Sequence, residues 1–234
     1  MNIIKKILTN KAILRSLPQS IYFNFHYLPL KQAVKLPILL YKPKLLKLKG
    51  HIKIEESKTI FGMIRLGFHT CSIYANNGIT WENHGGNIVF DGNCIIGNDS
   101  YLSFGEKTNV YFGDDFKNTA ALKLVSYRGI KFGKGTRLGW GVVVMDTNFH
   151  PLYDLVNKVY KRASGEIEIG DYNWFGTQCK IMHSTHTPER CIFGMGSVVT
   201  RNCEKRSYCV MGGDPVRILT ENVMRDYDND VEKY

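Results

Sequence analysis

The first 53 residues contain no aspartate or glutamate. Eleven Lys and Arg fall in that stretch. The remainder holds 31 − 11 = 20 Lys and Arg against 21 acids, so the formal charge of +10 sits entirely at the N-terminal end. Closely spaced cysteine pairs are also missing. Six cysteines with no CxxC spacing argue against a disulfide framework, and they point to reduced thiols in a core or on the surface. No run of 18 apolar residues exists and no secretory leader is recognisable, which excludes a membrane-spanning helix and leads us to expect a cytoplasmic protein. No nucleic-acid-binding motif accompanies the basic charge, so nucleic acid is not an expected partner. His183 and His186 have no third or fourth ligand at metal-site spacing, and no metal is expected.

What is present is a count of six. Ile169, Phe175, Ile181, Thr187, Phe193 and Val199 recur at every sixth position, and Gly170, Gly176 and Gly194 each follow a member of the series. A helix would give a period of 3.6 and an amphipathic strand a period of 2. A period of six fits a solenoid of short parallel strands, each hexad forming one flat face and a turn. Phe90, Ile96 and Leu102 repeat the step, as do Phe132, Leu138 and Val144. The distance from 90 to 132 is 42, or seven sixes, which lets the two blocks share a register. From 144 to 169 the distance is 25, so the register slips there and a segment must protrude.

The run IGDYNWFGTQCKI, then IFGMGSVVTRN, then MGGDPVRIL resembles the hexapeptide-repeat acyltransferases. Within the protrusion, MDTNFHP is similar to the active-site loop of the galactoside and maltose acetyltransferases. The resemblance covers roughly 85–219. It implies an all-β, left-handed parallel β-helix. The handedness comes from the resemblance alone, since crossover connections are usually right-handed. The expected organisation is a basic, partly helical appendage at 1–50, the β-helix at 51–219 with its loop at 145–168, and a tail at 220–234.

Within the appendage, 1–17 reads as an amphipathic helix ending near Pro18. The aromatic and basic text from 21 to 48 has two readings. It caps the open end of the solenoid, or it meets an anionic membrane surface; one segment can do both.

The resemblance makes His150 the catalytic base. An imidazole titrates close to neutrality and can take the proton from a hydroxyl as the oxygen attacks a thioester. Asp146, four residues earlier, either orients that ring or simply forms a turn. Asn118 lies in the neighbourhood of an active-site Asn of the family without aligning to it cleanly. Matched by position, Trp174, Thr177, Met195, Thr200, Arg201, Gly213, Pro215 and Arg217 are the expected contacts to acetyl-CoA. Met195 stands where the family has a small residue. Glycine allows close backbone approach, and the arginines can pair with phosphates.

The resemblance further implies a homotrimer with active sites between neighbouring chains and transfer to a saccharide hydroxyl. Transfer to an amine is the alternative chemistry. A non-catalytic membrane-docking scaffold is the alternative of another class.

Overall fold

The computed structural model describes residues 10–55, 57, 59–200, 203, 206–227 and 229. The molecule is mostly β. Beginning at Ile38–Leu40, the chain visits three parallel sheets in turn: Ile38–Leu40 joins the first, Pro43–Leu48 the second and His51–Ile54 the third, and the cycle repeats. These sheets, here called A, B and C, have nine, seven and six strands among the described residues. The parallel sheets therefore start inside the stretch read as an appendage. Stacked coils satisfy one another's backbone N–H and C=O groups along each sheet.

The strict hexads lie where the count of six places them. Ile169, Phe175, Ile181, Thr187, Phe193 and Val199 fall on sheets C, A, B, C, A and B, and all six side chains are buried. Each ladder stacks like on like. The Phe175 and Phe193 rings lie 4.3 Å apart and nearly coplanar in direction, at 2°. Phe90, Phe112 and Phe132 stack at 5.1 and 5.4 Å. The glycine after a hexad residue marks a corner with the next coil directly upon it. A Cβ on Gly170 would lie 2.6 Å from the Pro188 carbonyl carbon, and one on Gly176 would lie 2.8 Å from the Met195 nitrogen.

The early coils are longer than three hexads. Phe90 pairs with Phe112 and Phe112 with Phe132, so the interval of 42 is two coils of 22 and 20 residues rather than seven sixes. The shared register is real, but it arises from two unequal turns. The slip between 144 and 169 is an excursion at the corner between sheets B and C. It carries its own antiparallel hairpin, Leu152–Asp154 with Val159–Lys161, closed at its neck by a bridge from Thr147 to Ser164.

The N-terminal helix differs from expectation. Residues 1–9 lie outside the described residues. Helix α1 runs Lys11–Tyr27, capped by the Asn10 side chain, which accepts from the Ala12 and Ile13 amides. It passes through Pro18 rather than stopping there. The carbonyl that loses its donor to Pro18 is that of Leu14, which is exposed, so water can replace the missing bond.

The buried face of α1 covers the first coil. Asn24 Oδ1 accepts from the Ile38 amide at 3.2 Å, Asn24 Nδ2 donates to the Ile38 carbonyl at 2.7 Å, and the Leu40 amide donates to Ser20 Oγ at 2.9 Å. His26 Nε2 donates to the Leu48 carbonyl at 2.7 Å. From the short helix α2, Leu30–Ala33, Gln32 Nε2 donates to the Ile54 carbonyl at 2.9 Å. Polar side chains thus engage the outermost strand of all three sheets, the device that an open sheet end requires. Phe23 completes the cover with its ring 5.2 Å from Trp81.

At the other end, Cys209–Gly213 and Val216–Glu221 form an antiparallel hairpin that terminates sheet A. The described part of the following segment is not helical. It folds back along sheet A, where the Tyr227 hydroxyl donates to the Tyr172 carbonyl at 3.1 Å.

Candidate active site

Residues 146–166 leave the corner between sheets B and C through a tightly held neck. Asp146 is fully buried. Its carboxylate accepts from Ser126 Oγ at 2.8 Å and from the amides of Tyr127, Arg128 and Gly129 at 2.7, 2.9 and 2.9 Å. These are the contacts of the turn-forming reading. Both oxygens hold the corner of the preceding coil, and neither is directed to the His150 ring.

Beyond the clamp, Thr147 Oγ1 accepts from the Phe149 amide at 2.9 Å, and the Asn148 amide donates to the Ala163 carbonyl at 2.6 Å. Asn148 Nδ2 donates to His183 Nε2 at 3.1 Å, which leaves the His183 proton on Nδ1 to reach Ser184 Oγ at 3.2 Å. Phe149 then takes a left-handed backbone, φ 62°, and rests edge-on against Tyr127 at 5.2 Å. A non-glycine residue in that region is strained, and here the surrounding bonds hold it. The outcome is that His150 emerges exposed, with its amide closing a turn to the Asn148 carbonyl at 2.7 Å. Beside the neck a cleft of about 550 Å³ is lined by Arg128, Arg162, Ser164, Gly165, Glu166, Ser184 and His186.

A larger cleft of about 930 Å³ lies on the outer face of sheet A and the corner that leads to sheet B. Trp174 and Thr177 line it, and so do residues that the sequence did not single out: Lys117, Arg137, Trp140, Tyr172, Arg225 and Tyr227. Lys117, Arg137 and Trp174 occupy one outward ladder of successive coils. The Arg225 guanidinium lies over the Trp174 ring at 4.4 Å. Asp115 pairs with Lys117 at 2.9 Å and with Arg137. Partial burial raises the Asp115 carboxyl, but the bonds and charges of Lys117 and Arg137 outweigh it, and the net shift is downward. The cleft combines aromatic faces with an excess of cations.

The remaining expected contacts are dispersed. Met195 stacks on the corner above Thr177, largely exposed. Gly213, Pro215 and Arg217 belong to the terminal hairpin at the far end of sheet A and do not line the cleft. Thr200 follows the last strand of sheet B, and Arg201 lies outside the described residues. Asn118 borders the cleft, yet its side chain is buried, with Nδ2 donating to the Gly139 carbonyl at 3.0 Å. Among the described residues no three of His, Cys, Asp and Glu gather as a metal site would need. No residue of the 146–166 loop lines the large cleft, so His150 and the cleft occupy different corners of one chain.

No family model matches the chain. An uncharacterized 24.8 kDa protein in the cps region of Klebsiella pneumoniae is 24% identical over 189 residues, covering 79% of this chain and 82% of that one. Among solved structures, the polysialic acid O-acetyltransferase OatWY is 19% identical and covers 80% of this chain and 93% of its own, with a TM-score of 0.42. The polySia-specific acetyltransferase NeuO is 16% identical with a TM-score of 0.55, over 82% of this chain and 72% of its own. With NeuO the chain shares a fold.

Proposed function

We propose that this protein is an O-acetyltransferase that moves an acetyl group from acetyl-CoA to a saccharide hydroxyl, on a left-handed parallel β-helix. The observation that carries this reading is the cleft on sheet A. Cations on successive coils suit phosphates, and the flanking aromatic faces suit an adenine ring. The fold shared with NeuO, an acetyltransferase specific for polySia, supports a saccharide acceptor. The Klebsiella relative in a cps region is consistent with a role in surface-polysaccharide biosynthesis.

In the proposed reaction the neutral His150 imidazole accepts the proton of the acceptor hydroxyl while that oxygen attacks the thioester carbonyl. Backbone amides stabilise the oxyanion. The carbon–sulfur bond breaks, the CoA thiolate takes the proton back from His150, and the acetyl ester is released. No acyl-enzyme is required. Burial pushes the Cys179 thiol up to about 11 and Cys191 to about 12, which leaves both poor nucleophiles. The homotrimer that the resemblance implies belongs to this reading, with one chain's loop meeting its neighbour's cleft, since His150 and the cleft sit on different corners of one chain.

The test is acetyl-CoA binding by calorimetry with wild type, His150→Ala and Trp174→Ala, followed by turnover on sugar acceptors. Binding that survives His150→Ala and weakens in Trp174→Ala supports the assignment. Absence of wild-type binding removes it.

A further inference from the structure

The structure points to a second surface, unconnected with acetyl transfer. We infer that the outer face of α1 and α2 docks on an anionic membrane surface.

The two faces of α1 have different tasks. Ile13, Ser16, Ser20, Phe23 and Asn24 are spent on the first coil. Opposite them, Leu14, Ile21, Tyr22 and Phe25 stand in a continuous stripe at helical spacing, each between 44% and 57% exposed. Leu30 at the start of α2 and Val34 at its C-terminal end are exposed as well, at 67% and 60%. Six large apolar side chains exposed within residues 14–34 exceed the scattered exposure of an ordinary surface.

Cations border the strip. Lys11, Arg15, Lys31 and Lys35 are all exposed, and the nearest acidic residue in the chain is Glu55. That composition selects the occupant. A second copy would set two acid-free segments of eleven cations each against one another, which like-charge repulsion opposes. A lipid surface bearing anionic headgroups accepts both features at once, with apolar side chains entering the acyl boundary and Lys and Arg at headgroup level. The helix is held flat against the coil by its inner face, so it lies in the membrane plane. No helix of the described chain is long and apolar enough to cross a membrane, and this mode needs none.

The experiment is co-sedimentation of the full chain with vesicles of phosphatidylcholine alone, or of phosphatidylcholine with one third phosphatidylglycerol. Wild type should sediment with the anionic vesicles and not with the neutral ones. Raising the salt should release it, because exposed charges are screened. Each basic residue at such a surface is worth about fivefold in partitioning, so Lys11→Glu with Arg15→Glu should weaken binding at least tenfold. Leu14→Ser with Phe25→Ser should weaken it comparably while leaving the circular dichroism and thermal midpoint unchanged, since neither side chain supports the core. The inference is overturned if wild type ignores the anionic vesicles, or if these variants bind as wild type does. A wild type that self-associates through this face, in a manner abolished by Leu14→Ser with Phe25→Ser, while not sedimenting with vesicles, overturns it in favour of a second copy. The readout needs no acetyl-CoA, so it stands or falls apart from the enzymatic assignment.

Discussion

At the scale of single residues, Asp146 and His150 are four positions apart and do opposite things. Asp146 accepts from four donors at a buried corner. Asp146→Ala would strand the Ser126 hydroxyl and three amides, each unmet group costing about 1–3 kcal/mol, so unfolding in urea should reveal a loss on the order of 3 kcal/mol or more. His150→Ala removes an exposed ring. It should leave the urea midpoint unchanged and lower acetyl-transfer turnover by about 10²- to 10⁴-fold, the usual worth of a positioned general base. If Asp146→Ala instead kept full stability and lost only turnover, the ring-orienting alternative would be restored.

The cysteines allow a sharper chemical check. Cys94, Cys179, Cys191, Cys203 and Cys209 are buried and Cys71 is partly exposed. Iodoacetamide at pH 8 should add one group to the native chain, at Cys71, and six in denaturant, counted by mass spectrometry.

Asp115 makes a prediction about acid. Its carboxyl is held below the ordinary value, so its pairing with Lys117 and Arg137 stabilises the fold fully above the unfolded value of about 3.9 and fades as pH falls through the lower folded one. Asp115→Asn should therefore be less stable than wild type at pH 6, and the difference should shrink below pH 4 in urea titrations.

At the scale of elements, the ladder of rings is what the hexads build. Phe193→Ala would remove a fully buried ring stacked on Phe175 and should cost about 3–5 kcal/mol, read from thermal or urea unfolding. The hexads themselves were legible because each coil after the 146–166 excursion spends 18 residues on three equal faces: Trp174 pairs with Ile192, and Ile192 with Val210. Upstream, the period was harder to read because the corners carry extra residues, which leaves the inward ladder intact and breaks the count.

The helix end at Pro18 misled for a different reason. Proline removes one backbone donor, and whether that ends a helix depends on where the orphaned carbonyl points, which depends on tertiary burial. The cap reading of 21–48 was legible in kind, but the outermost strands hidden inside it were not. Ile38–Leu40 is short, and it is set by Asn24 and Ser20 rather than by alternation of its own.

The site divides along the same line. The expectations for His150 and Trp174 came from motifs. Lys117, Arg137 and Arg225 come from three different parts of the chain and meet only because coils stack and the segment after Glu221 turns back. An outward Lys or Arg on a regular strand reads as an ordinary solvated charge. The one signal available in advance was register, since Lys117 and Arg137 each precede an inward hexad residue, Asn118 and Leu138.

At the scale of the whole molecule, His150 and the cleft lie on different corners of one chain, and the proposed chemistry needs them together. A single chain presents His150 on the excursion between sheets B and C, and the aromatic rings and cations of the cleft on sheet A and the corner toward sheet B. With His150 as the base and the cleft as the acetyl-CoA site, as proposed, loop and cleft would meet between neighbouring chains. A closed ring of heterologous contacts supplies such a site at each junction. At sub-saturating acetyl-CoA, His150→Ala and Trp174→Ala chains should each lose most of their activity alone, because every junction has either no base or a weakened cleft. Co-expressed in equal amounts, they form junctions in which a Trp174→Ala chain donates an intact loop to the intact cleft of a His150→Ala chain. Random assortment makes that pairing about a quarter of all junctions, so acetyl transfer should return to about a quarter of wild type. Activity that stays absent in co-purified mixed particles would mean that both parts are needed from one chain, and the loop would then have to move across the corner to reach the cleft.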